Sequence, residues 1–154
     1  MTKGLRKKYE LLRKKHKLPG FEELDSEFEI SALDTESLSP RELRRKISEK
    51  IDDVASMLER ALHPDTNLAD LYESRVFDES EKQELFEIYK KMMAFARQTA
   101  ELMIDSNEKL EASFINSFYS EWKKLKPQLL RHVTKLKESW QKETEKGEVA
   151  GYMG

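Results

Sequence analysis

Large apolar residues recur at helical intervals along most of this chain, and the longest run organises the rest. Between residues 106 and 146 they fall at Phe114, Phe118, Trp122, Leu125, Leu129, Val133, Leu136 and Trp140. Steps of three and four residues trace one helix face. The stripe carries both tryptophans and keeps its phase through Pro127. It predicts one long kinked helix, or two nearly collinear ones, offering an aromatic seam to partner helices.

Two further long helices are marked by their starts. At Ser39-Pro40-Arg41-Glu42 a capping serine precedes a proline, and a glutamate follows three residues after the cap. Leu43, Ile47, Ile51, Val54 and Leu58 then line one face until His63, where Pro64 stops the helix. Asp65 or Asn67 caps a short helix through Leu68, Leu71 and Tyr72. Asp78 and Glu81 open the next long helix. Its apolar face is wide, from Leu85, Ile88 and Tyr89 through Met92, Phe95, Ala96, Thr99 and Ala100 to Met103. A wide face marks it as the central helix. Met92, Met93 and the aromatic stripes are read as core. The expected fold is all-α: a bundle of three long antiparallel helices with a short connecting helix.

The N-terminal part reads differently. Lys3, Arg6, Lys7, Lys8, Arg13, Lys14, Lys15 and Lys17 crowd residues 3–17, with Glu10 their only acidic neighbour. Leu5, Tyr9, Leu12 and His16 are spaced for a basic amphipathic helix, which Leu18-Pro19-Gly20 ends. From residue 21 to 37 the charge inverts, with no lysine or arginine. Phe21, Leu24 and Phe28 give about two helical turns, and Ile30 and Leu33 anchor an irregular segment. Residues 18–38 are thus expected to form an arm that packs by a few apolar pegs and changes conformation on binding. The organisation is residues 1–38 as a charged helical arm, 39–146 as the bundle, and 147–154 as a frayed tail.

The final stripe is too long for its partners. A continuous helix there is about 60 Å long, against about 36 Å for the helix from residue 40 to 63. Trp140 lies in the overhang. Either the basic N-terminal helix covers it, or it is an interface. Trp140, Leu136, Tyr9 and Leu12 are the candidate interface residues, for another protein or a second copy in a homodimer. On the interface reading, Trp140→Ala abolishes association.

Composition narrows the class. Charged residues make up 38% of 154, as in disordered chains, but the helical spacing of apolar residues argues for a packed fold. With 28 basic and 30 acidic residues, net charge is -2 and exerts no global pull on nucleic acid or membrane. Cysteine is absent, which excludes disulfides and thiolate chemistry. No apolar run approaches the roughly 20 residues of a membrane span, and the basic start lacks a signal-peptide core. A soluble, cytoplasmic protein that binds no membrane is expected. The chain has 3 Asn and 4 Gln beside abundant Glu, Lys and Arg, which leans toward a thermophilic source.

Candidate chemistry is sparse. His63-Pro64-Asp65 resembles the His-Pro-Asp signature of J-domain co-chaperones, which lies between two helices and engages a chaperone partner. Tyr9-Glu10-Leu11-Leu12 is similar to the aromatic-acid-leucine start of that domain. The likeness implies a chaperone-docking loop at residues 63–65. It covers only these residues, and that family places its first helix much closer to the tripeptide. Its second helix is also compactly basic, where this chain has Glu49, Asp52, Asp53 and Glu59. Helix-ending rules account for all three residues: histidine suits a C-terminus, proline stops the helix, and aspartate caps the next.

His16, His63 and His132 lie on three segments, none with Glu three residues before it, so the repeat of di-iron bundles is missing. Glu81/Glu84, Glu84/Glu87 and Glu49/Asp52 share helix faces but read as solvated surface paired with lysine. The facing-helix magnesium pattern of helical nucleotide pyrophosphatases is not completed. The five glycines form no phosphate loop. No catalytic, cofactor-binding or metal-binding residue is assigned, and no cofactor is expected. Lys7, Lys8, Arg13, Lys14 and Lys15 are candidate phosphate contacts, with Tyr9 available to stack. Lys123, Lys124, Lys126, Arg131, Lys135 and Lys137 form a second basic set on the last helix. The leading expectation is a non-enzymatic interaction or scaffold module. A nucleic-acid accessory protein using the basic helix is the alternative, and a carboxylate-metal hydrolase the second alternative.

Overall fold

The capping residues set most helix starts where the sequence places them. In the computed structural model, the Ser39 hydroxyl accepts from the Glu42 N–H at 3.2 Å. Asp78 accepts from the Glu81 N–H at 2.8 Å, and the Glu81 carboxylate accepts from the Asp78 N–H at 3.0 Å, a reciprocal box. Asn67, rather than Asp65, caps the short helix through the Asp70 N–H at 2.9 Å. Asn107 accepts from the Leu110 N–H at 3.1 Å. The structure describes residues 2–146; the expected frayed tail, 147–154, lies outside them.

Among the described residues all regular structure is helical. The order is α1 (Thr2–His16), α2 (Phe21–Phe28), a 3-10 turn (Ile30–Ala32), α3 (Pro40–Leu62), α4 (Leu68–Ser74), α5 (Glu79–Ile104) and α6 (Glu108–Lys146). None of these helices is long and apolar enough to cross a membrane. The alternatives at Pro127 resolve to one helix of 39 residues with the proline inside it, on an exposed position. There the carbonyl that loses its helical bond can be met by water.

The three long helices pack on one another, but the central one is α3, not α5 as the wide apolar face suggested. α3 touches α2, α4, α5 and α6, whereas the main contacts of α5 are with α3 and α6. Leu43, Ile47, Ile51, Ala55 and Leu58 are accordingly all buried. On α5, full burial is restricted to Leu85, Ile88, Met92 and Leu102. Of its expected face, Met103 is exposed.

The acidic segment packs on the bundle through its apolar residues. Phe21, Leu24, Phe28, Ile30 and Leu38 are buried in the same core cluster as the bundle residues. Its acids reach α6 more than α1. Glu27 accepts from Trp122 Nε1 at 2.7 Å and pairs with Lys126, and Glu23 accepts from the Tyr119 hydroxyl at 3.1 Å. Glu22 pairs with Arg6 of α1. Two turns in this region hold non-glycine residues in left-handed backbone. Lys17 and Glu29 both have φ of 56°, ending α1 and α2 where glycine is the usual residue.

One buried ion pair ties α3 to the first turn of α6. Arg44 donates twice to Glu111, at 2.9 and 3.1 Å, with side chains 5% and 1% exposed. Ser106 adds a hydroxyl at 3.1 Å. Two parallel N–H···O bonds fix direction as well as distance, so the pair sets the register of the α3 and α6 N-termini.

Candidate interaction surface

α6 outruns the helices around it. At ~1.5 Å per residue its 39 residues span about 58 Å, against about 34 Å for the 23 of α3. Its seam is dry in the middle. Phe114, Phe118, Trp122, Leu125 and Leu129 are buried. Phe95 meets Phe118 edge-on at 4.9 Å, and Phe118 stacks on Trp122 at 5.9 Å. Both ends of the seam project past this centre, and they are treated differently.

At the C-terminal end the cover is α4, not the basic N-terminal helix. The Tyr72 ring lies 4.2 Å from that of Trp140, and its hydroxyl donates to the Ser139 carbonyl at 3.1 Å. Trp140 Nε1 donates to Glu73 at 2.9 Å. The indole, 38% exposed, is held within its own chain. Leu136 is half-buried against the core.

The other two candidate interface residues are on α1. Tyr9 is fully buried, edge-on to Phe21 at 5.5 Å, with its hydroxyl on the Pro19 carbonyl at 2.5 Å. Burial pushes that hydroxyl's pKa far up, so it stays neutral. Tyr9 is therefore core and cannot meet a partner or stack on a base. Leu12 is half-buried beside the start of α6. α1 docks at that start: Lys15 and His16 reach Glu108 at 3.3 and 2.9 Å, and Asn116 donates to the His16 carbonyl at 3.3 Å. The His16 bond, then that of Lys15, holds the Glu108 carboxyl below the usual carboxylate range. Glu108 and Trp140 are 32 residues apart on α6, about 48 Å. The four candidates thus do not form one surface.

The N-terminal end of the seam is uncovered. Leu110 lies one turn before Phe114 and in phase with it, yet is 58% exposed. Ile104, the last residue of α5, is 82% exposed. Between these helices runs an open groove of about 500 Å³, with Leu102 and Phe114 among its walls and Ile104 and Leu110 at its mouth. Its charged lining residues are Glu101 and Asp105, one helical turn apart and exposed, with no side-chain partner among the described residues. The sequence signal for this site was the four-residue step back from Phe114 to Leu110, which extends the stripe beyond any covering helix.

The basic candidates are partly spent. Lys8 donates to the Thr35 and Glu36 carbonyls at 2.8 and 3.0 Å. Arg13 pairs with Glu10 at 3.4 Å, and Lys15 with Glu108. Lys7 and Lys14 are exposed and, among the described residues, unpaired. In the second set, Lys126, Arg131 and Lys135 pair with Glu27, Glu84 and Glu81. The two sets therefore leave few free cations for a shared stripe.

His63 ends α3 as its exposed C-cap, and the Asp65 N–H donates to Asp70 at 3.3 Å. Among the described residues no three His, Asp or Glu side chains converge on a point that could hold a metal ion. No protein-family model, curated protein or solved structure matches the chain.

Proposed function

We propose that this chain is a non-enzymatic interaction module: an antiparallel bundle of three long helices whose α5–α6 tip docks another protein in a reducing, cytoplasmic setting. The observation that carries this reading is Leu110. It continues the core stripe, yet is left more than half exposed beside Ile104. Burying each such side chain is worth about 1.5–3 kcal/mol, so leaving both in water favours an occupant. Glu101 and Asp105 give the apolar groove an acidic rim, which selects a basic partner. The test is a photo-reactive residue at Ser113, in the groove wall, against one at exposed Ser56 on α3. Adducts at Ser113 that disappear with Ile104→Asp are expected. Adducts no more abundant at Ser113 than at Ser56 contradict the reading.

A second reading, nucleic-acid binding by α1, is favoured by the unpaired Lys7 and Lys14. With Lys3 also exposed and unpaired among the described residues, the three free cations of α1 give a log–log salt slope of only about -3. A steeper slope that survives Lys7→Glu/Lys14→Glu contradicts it. The carboxylate-metal reading lacks the acidic cluster it requires among the described residues and is not proposed.

A further inference from the structure

We infer that the occupant of the groove is α1 of a second copy of this chain, with the contact made reciprocally in a two-fold dimer. The inference rests on the docking role of the α5–α6 tip and names the partner. α1 has two faces. Leu5 and Tyr9 are buried, while Leu11, on the outer face, is 71% exposed. Lys7 lies one turn before Leu11 and Lys14 one turn after, both unpaired. The acid of that face, Glu10, is engaged by Arg13. The outer face is thus an apolar knob between two free cations.

The groove has the opposite character and a matching length. Its α5 wall runs from Gln98 to Asp105, and Lys7 to Lys14 covers the same seven-residue interval, about 10 Å on either helix. Leu11 would enter against Ile104 and Leu110; Glu101 and Asp105 are four residues apart, about 6 Å, so the flexible lysine side chains would converge on them from either side of Leu11. The chain's own α1 cannot make this contact. Its inner face is committed to the core, and its last turn is fastened to Glu108 beside the groove. That fastening places both surfaces at one end of the molecule. A two-fold axis there seats each α1 on the other copy's groove, and the pair closes without further growth.

Two charge-reversed chains test this. One carries Lys7→Glu/Lys14→Glu, the other Glu101→Lys/Asp105→Lys. These four side chains are exposed and make no hydrogen bond or ion pair among the described residues, so melting curves taken at dilutions where the parent is monomeric should match. Light scattering up to roughly 100 µM should find the parent dimeric and each variant monomeric, because like charges then face each other. Mixed one to one, the variants should form a heterodimer, since both contacts regain opposite charges. Leu11→Asp should be monomeric alone and in either mixture. A monomeric parent, a dimer that persists in every variant, or a mixture that stays monomeric overturns the inference. Specific adducts to a different protein at Ser113 with a monomeric parent would leave the docking role standing and remove only the second copy.

Discussion

Breaking the Arg44–Glu111 pair from one side should cost far more than replacing it whole. Both side chains are at least 95% buried, and the guanidinium makes two bonds to the carboxylate. Glu111→Leu strands a buried cation, and Arg44→Met strands a buried carboxylate with the Ser106 hydroxyl as its remaining side-chain hydrogen-bond donor. Either change should cost about 3–5 kcal/mol. At about 2–4 °C per kcal/mol for a chain of this size, the melting temperature should fall by roughly 6–20 °C. The double variant Arg44→Met/Glu111→Leu removes both desolvation costs and should return to within about 1 kcal/mol of the parent. Urea midpoints of the four proteins, taken with their m-values, measure the coupling. Glu111 follows Leu110 in the first turn of α6, so amide exchange over residues 108–114 should rise in the single variants. A single change costing under about 1 kcal/mol, or a double variant as unstable as the singles, would refute the assignment of a dry, register-setting pair.

Other consequences are nearer the surface. Lys17→Gly and Glu29→Gly should each stabilise by about 0.5–1 kcal/mol, because relief of about 1–2 kcal/mol of left-handed strain exceeds the entropy cost of glycine; a lowered urea midpoint would contradict this. Burial works against ionisation of Glu27, but hydrogen bonds from Lys126 and Trp122 outweigh it and hold its carboxyl below the usual range. Glu81 is lowered by Lys135, then by the Asp78 N–H. In acid the unfolded chain therefore binds more protons at these sites. Their stabilisation is full above the unfolded value of about 4.3 and is lost as pH falls through the lower folded values. Lys126→Ala should flatten that acid dependence, and an unchanged slope would argue against the contact. At the other extreme, the raised pKa of buried Tyr9 means that stability falls as pH rises past about 10, where tyrosines of the unfolded chain ionise. A tyrosine absorbance titration in which all five residues ionise before unfolding would contradict it.

What could be read from the sequence was local. The α6 stripe, the caps at Ser39 and Asp78 and the stop at Pro64 depend on residues a few positions apart, and those forces act within one helix. What lies opposite each face is a tertiary matter. Tyr9 and Leu12 share an amphipathic face that suits a partner chain, but the partner is the Phe21–Leu24 segment and α6 of the same molecule. Trp140 lies on an overhang, as helix lengths required, yet a seven-residue helix too short to announce a packing role supplies Tyr72 and Glu73 to hold it. Leu110 shows the same limit in reverse: its phase assigns it to the core, yet among the described residues no helix lies above it and it is exposed.

The two ends of α6 make opposing claims on any association, and solution mass by light scattering distinguishes them. Ile104→Asp places a charge in the α5–α6 groove. Trp140→Ala removes the indole that α4 holds at the far end. With the parent as a concentration-dependent dimer, Ile104→Asp should be monomeric and Trp140→Ala should keep the parent mass, with lower stability as α4 loosens. A parent that stays monomeric, or a dimer that survives Ile104→Asp and dissociates on Trp140→Ala, would contradict the groove as the site of self-association.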